Sequence, residues 1–174
     1  SKIASKMAKE HKKFWTNERL EKAKALNMTP AQVYTLASIV HKETVKADER
    51  PRVAGAYLNR INQDMPLQAD PTVIYAIKEK SGDFDQVIKR VGGSNLFVSS
   101  PYNTYINKGL PPGPIAMPDI SAIDAVLNAE KHNYIYFCAD PSRPGYHSFE
   151  TTYEAHLVNA KKYADWVNKL GIKL

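Results

Sequence analysis

Glu43 is the residue in this 174-residue chain whose type and position point most directly to chemistry. Val33, Leu36, Ala37 and Val40 recur at helical spacing and define one buried face, and Glu43 continues that stripe. An ionised carboxylate facing a core is costly unless paired, so its pKa is expected to rise. A carboxyl protonated near neutral pH is what a general acid requires. The same position, in the last turn of a helix, also suits an ordinary ion pair with Lys46, Arg50 or Arg52. Asp70 is a second acid candidate, although Asp before Pro71 is also the usual start of a helix. The run Tyr102-Asn103-Thr104-Tyr105 combines flat rings with amide and hydroxyl groups, the equipment that holds sugars.

Other chemistries find little support. There is no G-x-S-x-G nucleophile elbow and no H-E-x-x-H. His147 and His156 have no carboxylate at ligand spacing and are expected to be packing or hydrogen-bonding residues, so no metal or cofactor is anticipated. Gly92-Gly93 lacks the Lys-Ser or Lys-Thr of a phosphate loop. Cys138 is the only cysteine and lies in an apolar run, which reads as a structural thiol.

The elements that must position these groups follow from local signals. Thr29, Pro30 and Gln32 give a capping box with Pro at the first helical position, opening the Glu43 helix. Further helices are expected over Arg52–Gln63, from Asp70 through Ile77, over Ser121–Lys131, and from the Thr151/Glu154 capping box to Gly171. Asp83 and Gln86 predict one more before Val87, Ile88 and Val91. Tyr134–Ala139 and His147–Phe149 read as two short strands around a Pro/Gly turn. Between Gly92 and Pro118, glycines and prolines exclude a regular element, and the apolar residues among them predict an ordered loop lining a groove. The fold class is α+β, mainly helical, with a small antiparallel β element.

The size and a hydrophobic content of 43% suit one globular domain. The net charge of +6 is concentrated, because residues 1–25 hold eight Lys or Arg against three Glu. Residues 1–28 therefore read as a basic, amphipathic helical lead segment, and the near-neutral remainder argues against a nucleic-acid partner. No apolar run is long enough to span a bilayer, and a start at Ser1 reads as a processed or excised piece.

Several blocks, in order, resemble the catalytic domain of the YceG-like, or MltG, endolytic murein transglycosylases. They are Leu36 to Thr44, Leu67 to Val73, Tyr102 to Tyr105, Gly109 to Ile115, Tyr136 to Asp140, and His147-Ser148-Phe149. The resemblance implies that residues 29–174 form a YceG-like catalytic domain with a lysozyme-like catalytic helix bearing Glu43. It implies endolytic cleavage of the β-1,4 bond between N-acetylmuramic acid and N-acetylglucosamine in peptidoglycan glycan strands, leaving 1,6-anhydro-muramyl ends. Glu43 would be the single acid/base, and Gln68, Asp70, Tyr102, Asn103, Thr104 and Tyr105 would bind substrate. Pro111–Ile115 would shape the loop wall. His41 stands where many relatives have Glu or Gln, on the opposite side of the helix from Glu43, without a direct catalytic role. A membrane span and a LysM-like subdomain ahead of this region, action at the outer face of the cytoplasmic membrane, and synthase partners are implied by analogy. A non-catalytic glycan-binding module and a hydrolytic muramidase are the competing expectations.

Overall fold

The computed structural model describes residues 1–171. Seven α-helices, one 3-10 helix and a two-stranded sheet follow in the order α1 (Lys2–Phe14), α2 (Asn17–Ala25), α3 (Pro30–Glu43), α4 (Arg50–Asn62), α5 (Asp70–Ser81), the 3-10 helix (Gly93–Phe97), α6 (Ile120–Leu127), β1 (Tyr136–Ala139), β2 (His147–Glu150) and α7 (Tyr153–Lys169). The class is mixed α+β and mainly helical, as the sequence predicts. No described helix is long and apolar enough to cross a membrane.

Helix α3 is the hub. Its start has the predicted capping box: the Thr29 hydroxyl accepts from Gln32 N, and Thr29 N donates to the Gln32 side chain. Beyond that turn it is buried on more than one stripe, since Thr35, Ser38 and Ile39 are enclosed along with Val33, Leu36, Ala37 and Val40. Helices α2, α4, α5 and α6 surround it. Each fully buried Val, Leu or Ile contributes roughly 1.5–3 kcal/mol, so α3 is anchored along most of its length. Ser38, with no exposed surface, donates to Thr35 O at 2.6 Å and accepts from Ile115 N at 3.0 Å, tying the proline-rich loop to the helix.

Helix α4 grips the segment that leads into the sheet. Asn59 Nδ2 donates to the carbonyls of His132 (2.8 Å) and Tyr134 (2.9 Å), and Arg60 Nε donates to that of Ile135 (2.6 Å). β1 and β2 pair antiparallel with Phe137 opposite Phe149 and Ala139 opposite His147. This register places His147 at the end of the hairpin next to the C-terminus of α3.

Four local expectations are corrected. Asp83 and Gln86 open no helix: Asp83 Oδ1 accepts from Asp85 N, Gln86 Nε2 donates to Ser81 Oγ, and the chain turns instead. The N-cap of α5 is Ala69, and Asp70 is already helical with its carboxylate turned elsewhere. Helix α6 ends at Leu127, since Glu130 N has left the helical ladder for Pro51 O. The N-cap of α7 is Thr152 rather than Thr151, its hydroxyl accepting from Ala155 N.

The lead segment divides. α1 has no buried residue, whereas Ala23 of α2 is 1% exposed and joins the core with Leu26 and Met28.

Candidate active site

Glu43 ends α3 at a cavity of about 350 Å³ lined by residues from five parts of the chain, Arg60 of α4 among them. α3 supplies Glu43; the turn into α5 supplies Gln68 and Asp70; the long loop supplies Tyr105; the sheet and α7 supply the far wall. The Glu43 side chain is 17% exposed. Tyr57 Oη donates to its Oε2 at 2.9 Å, and His147 Nε2 lies 3.8 Å from its Oε1. Burial raises the carboxyl above its ordinary range, against the opposing pull of His147 and Tyr57.

The ion-pair alternative for Glu43 is overturned because its proposed partners are held elsewhere or do not reach it. Arg50 Nη1 donates to Asp119 at 3.0 Å and to Ser121 at 2.6 Å. Arg52 makes a two-pronged pair with Glu130 at 2.8 and 3.1 Å. Among the described residues, no Lys or Arg lies within salt-bridge distance of Glu43.

Behind Glu43 stands a carboxylate–imidazole relay. Glu49 is 6% exposed and accepts from the His147 backbone N–H at 2.6 Å through Oε1. Its Oε2 lies 2.8 Å from His147 Nδ1 and accepts the Thr44 hydroxyl at 2.9 Å. This arrangement assigns the Nδ1 proton to the Glu49 side, leaving Nε2 directed at Glu43. Burial would lower the His147 pKa, but the Glu49 hydrogen bond and the Glu43 charge outweigh it and raise it. Burial likewise acts to raise Glu49, and its bonds to His147 overcome this and lower it. Phe137 packs edge-on against both Tyr57 (5.4 Å) and His147 (5.5 Å), so one ring positions both neighbours of Glu43.

On the other side of the cavity, Asp70 Oδ1 accepts the Tyr105 hydroxyl at 2.5 Å. Asp70 is exposed at the cavity mouth, yet the protein beside it still raises its carboxyl, with Tyr105 opposing. Gln68 lines the cavity from the left-handed region (φ +50°) with its N–H on Thr104 O. Positive φ in a non-glycine residue is a stored strain of the kind that collects at functional sites.

The structure therefore brings together Glu43, Gln68, Asp70 and Tyr105. It does not bring Tyr102, Asn103 or Thr104 to the cavity, which corrects their expected place on its wall. Asn103 is fully buried, its amide donating to Leu96 O (3.0 Å) and Val98 O (2.9 Å) while Oδ1 accepts from Tyr105 N. Thr104 is 1% exposed, meets Thr72 Oγ1 at 2.8 Å and accepts from Ala69 N. Tyr102 packs on Tyr75 with ring centroids 4.7 Å apart. These three fasten the loop so that Tyr105 reaches Asp70. Pro111 and Pro112 line a different cavity, near Leu26 and Met28, and Ile115 is buried against α3; the expected loop wall is corrected too.

Sequence reasoning missed Glu49, Tyr57 and His147 as site residues. Only His147 had a signal, because it opens one of the matched blocks. Tyr57 lies inside a helix and Glu49 in the turn before it, and neither position carries a local signal of its own. His41 sits away from the cavity, with Nδ1 accepting from Asp119 N at 3.2 Å. Cys138 lines the cavity, and burial pushes its thiol up, away from nucleophilic use. Among the described residues no cluster of His, Cys, Asp or Glu has the geometry to hold a metal ion.

A carboxyl whose pKa is raised by burial, with one hydroxyl donor and a histidine behind it, has the equipment to give a proton to a bound oxygen and take one back. The chain is similar to an endolytic murein transglycosylase of Streptococcus pneumoniae serotype 2 (39% identity over 117 residues, 67% of this chain and 21% of the relative). It is also similar to one of Bacillus subtilis strain 168 (36% over 138 residues, 79% of this chain and 36% of the relative). The chain thus spans between about a fifth and about a third of the length of these curated relatives. A crystal structure of a yceG-like protein from Listeria monocytogenes superposes with a TM-score of 0.68 at 37% identity, covering 79% of this chain and 42% of that one. The sequence model of the YceG-like family matches residues 1–162, which takes in every cavity residue up to His156, and the chain belongs to that family.

Proposed function

We propose that this chain is the catalytic part of an endolytic peptidoglycan lytic transglycosylase. It cuts the β-1,4 bond between N-acetylmuramic acid and N-acetylglucosamine inside glycan strands. The observation that carries this is Glu43: a largely enclosed carboxyl in a cavity, with a raised pKa and no Lys or Arg partner among the described residues. The names of the similar proteins supply the substrate class.

In the proposed reaction the Glu43 carboxyl gives its proton to the glycosidic oxygen, and the bond from that oxygen to C1 of the muramyl sugar breaks. The C6 hydroxyl oxygen of the same sugar then bonds to C1, and the Glu43 carboxylate takes the hydroxyl proton. The products are a 1,6-anhydro-muramyl end and a free 4-hydroxyl on N-acetylglucosamine, with no water consumed. Gln68, Asp70 and Tyr105 hold the saccharide. Action on wall glycan puts the work outside the cytoplasmic membrane, near glycan synthases.

One observation favours a second outcome. Asp70 is a carboxylate in the same cavity, and paired carboxylates are the equipment of glycoside hydrolysis, one serving as acid and the other activating water. Digestion of purified peptidoglycan followed by mass spectrometry of the released ends separates the readings. Anhydro ends support the transglycosylase, reducing ends support the hydrolytic muramidase, and glycan binding without turnover supports a binding module. Glu43→Gln is expected to lower turnover by about 10²–10⁴-fold, the range for loss of a general acid; retained full activity removes Glu43 from its role.

A further inference from the structure

Glu43 and His147 sit between two half-clefts. On one side is the polar cavity already described. On the other is a second cavity of about 380 Å³ that shares Glu43, Ala139, His147 and Tyr163 with the first. Its character differs. Val45, Pro141, Pro144 and Trp166 line it, and Val45 and Trp166 remain 80% and 41% exposed. Tyr163 and Trp166, with ring centroids 6.0 Å apart, carry the α7 wall from one half to the other.

Of the oxygen-bearing side chains found in this half alone, Thr44 and Tyr146 are engaged and Asp140 is engaged through Oδ1. Thr44 donates to Glu49 at 2.9 Å, Tyr146 Oη to the Asp48 carboxylate at 3.0–3.1 Å, and Asp140 Oδ1 accepts from Ser142 Oγ at 2.7 Å. A sugar ring seated here would find few partners for its hydroxyls, and unpaired buried hydroxyls are costly. Two cations stand on Tyr146 at the rim. Arg143 Cζ lies 4.4 Å and Lys46 Nζ 5.3 Å from its ring centroid, and the Lys46 stem packs over Gly145. Neither is in a salt bridge within 4 Å among the described residues, although Asp48 and Asp140 are the nearby opposing charges. Stacked on an aromatic face, with Arg143 exposed and Lys46 half-buried, the two cations remain available to an anionic ligand.

We propose that this apolar half-cleft takes the acidic peptide stem carried by the muramyl sugars, its lactyl and alanyl methyls against Val45 and Trp166 and its carboxylates toward Lys46 and Arg143. The proposal rests on the peptidoglycan reading of the same site. It assigns the two halves different ligands: bare sugar in the polar half, stem in the apolar half. Specificity for stem-bearing strands then comes from residues that do not touch the bond being cut.

The test compares kcat/KM on glycan strands bearing intact stems with the same strands stripped by an amidase that cuts the lactyl–alanine bond. Trp166→Ala is expected to lower the stemmed-to-stripped ratio about tenfold, the usual scale for truncating an aromatic anchor. Lys46→Ala combined with Arg143→Ala lowers the ratio in the same direction with a weaker dependence on salt, and Trp166→Phe restores most of it. A ratio unchanged from wild type in both variants overturns the proposal, and an equal loss on both substrates assigns the half-cleft to sugar instead. Wild-type protein that cuts neither substrate overturns the transglycosylase reading. Titration with a disaccharide-tripeptide and with the bare disaccharide, followed at the Trp166 indole by NMR, then decides the stem site: a shift with the stemmed ligand alone supports it, and no shift or equal shifts sink it.

Discussion

At the scale of the residue, Glu43 is set by two opposing influences. Burial holds its proton on, and His147 pulls it off. The acid form must be present at the start of the proposed reaction, so kcat/KM falls as pH rises through the raised Glu43 pKa. Replacing His147 with Gln removes the cation that favours the carboxylate. Glu43 then keeps its proton to higher pH, and the alkaline limb of the profile shifts upward; an unmoved limb would show that His147 has no hold on it. The relay has its own pH window. Glu49, lowered below 4.5, contributes stability that is complete above that value and is lost as pH falls through its folded pKa. His147, raised above 6.5, contributes stability that is complete below that value and is lost as pH rises through its folded pKa. The pair is therefore worth most between pH 4.5 and 6.5. Glu43 acts in the opposite sense, because a buried carboxylate with a raised pKa costs stability at neutral pH. The Glu43→Gln variant that loses turnover should melt higher, by about 2–4 °C for each kcal/mol relieved. A lower melting temperature would mean that the carboxylate is needed for the fold.

At the scale of the element, the site is held by α4 reaching across to the segment before β1. Gly55 marks the closest approach: a Cβ there would collide with Glu130 O and lie 2.7 Å from His132 Nε2. Gly55→Ala is expected to destabilise the chain by about 1–3 kcal/mol, the scale of overpacking, read as a lower denaturant midpoint. Turnover should fall further than the loss of folded protein explains, because the displaced segment carries Phe137, which packs on both Tyr57 and His147. A variant with wild-type midpoint and turnover would show that the segment yields freely. Such approaches also explain what was legible in the sequence. Helix α3, its capping box and Glu43 at its end are legible because caps and periodicity are local. Two short strands around a Pro/Gly turn were legible for the same reason. Asn103 and Thr104 were misplaced because a hydrogen-bonding side chain looks the same in sequence whether it faces a ligand or its own loop. Their buried partners, Leu96 O, Val98 O and Thr72, are non-local or carry no side-chain signal. Glu49 and His147 are 98 residues apart, and nothing local predicts that pairing.

At the scale of the whole molecule, charge and packing are separated along the chain. α1 carries five Lys and one Glu in its thirteen residues and buries none of them. The domain begins where Phe14 and Trp15 pack on the core edge, their rings meeting edge-on at 5.4 Å. Arg19 fastens this junction: its guanidinium lies 4.2 Å from the Phe14 ring, Nη1 donates to Phe14 O at 2.9 Å, and Nε donates to Asp124 of α6 at 3.3 Å. Stability should therefore step rather than slope as the lead segment is shortened. Removing residues 1–13 takes away most of the positive excess and no buried apolar surface, so the melting temperature should hold within about 2 °C, the shift expected from roughly half a kcal/mol or less. Removing residues 1–15 also strips two half-buried aromatics and the partner of Arg19, and should cost about 2–4 kcal/mol, on the scale of losing large side chains from a packed edge. Thermal unfolding of the two truncations decides the point. A loss already complete on removing residues 1–13 would make α1 part of the cooperative unit, whereas equal stability of both truncations would move the start of the folded domain beyond Trp15. Both truncations should keep the Glu43 cavity, because none of its lining residues precedes α3.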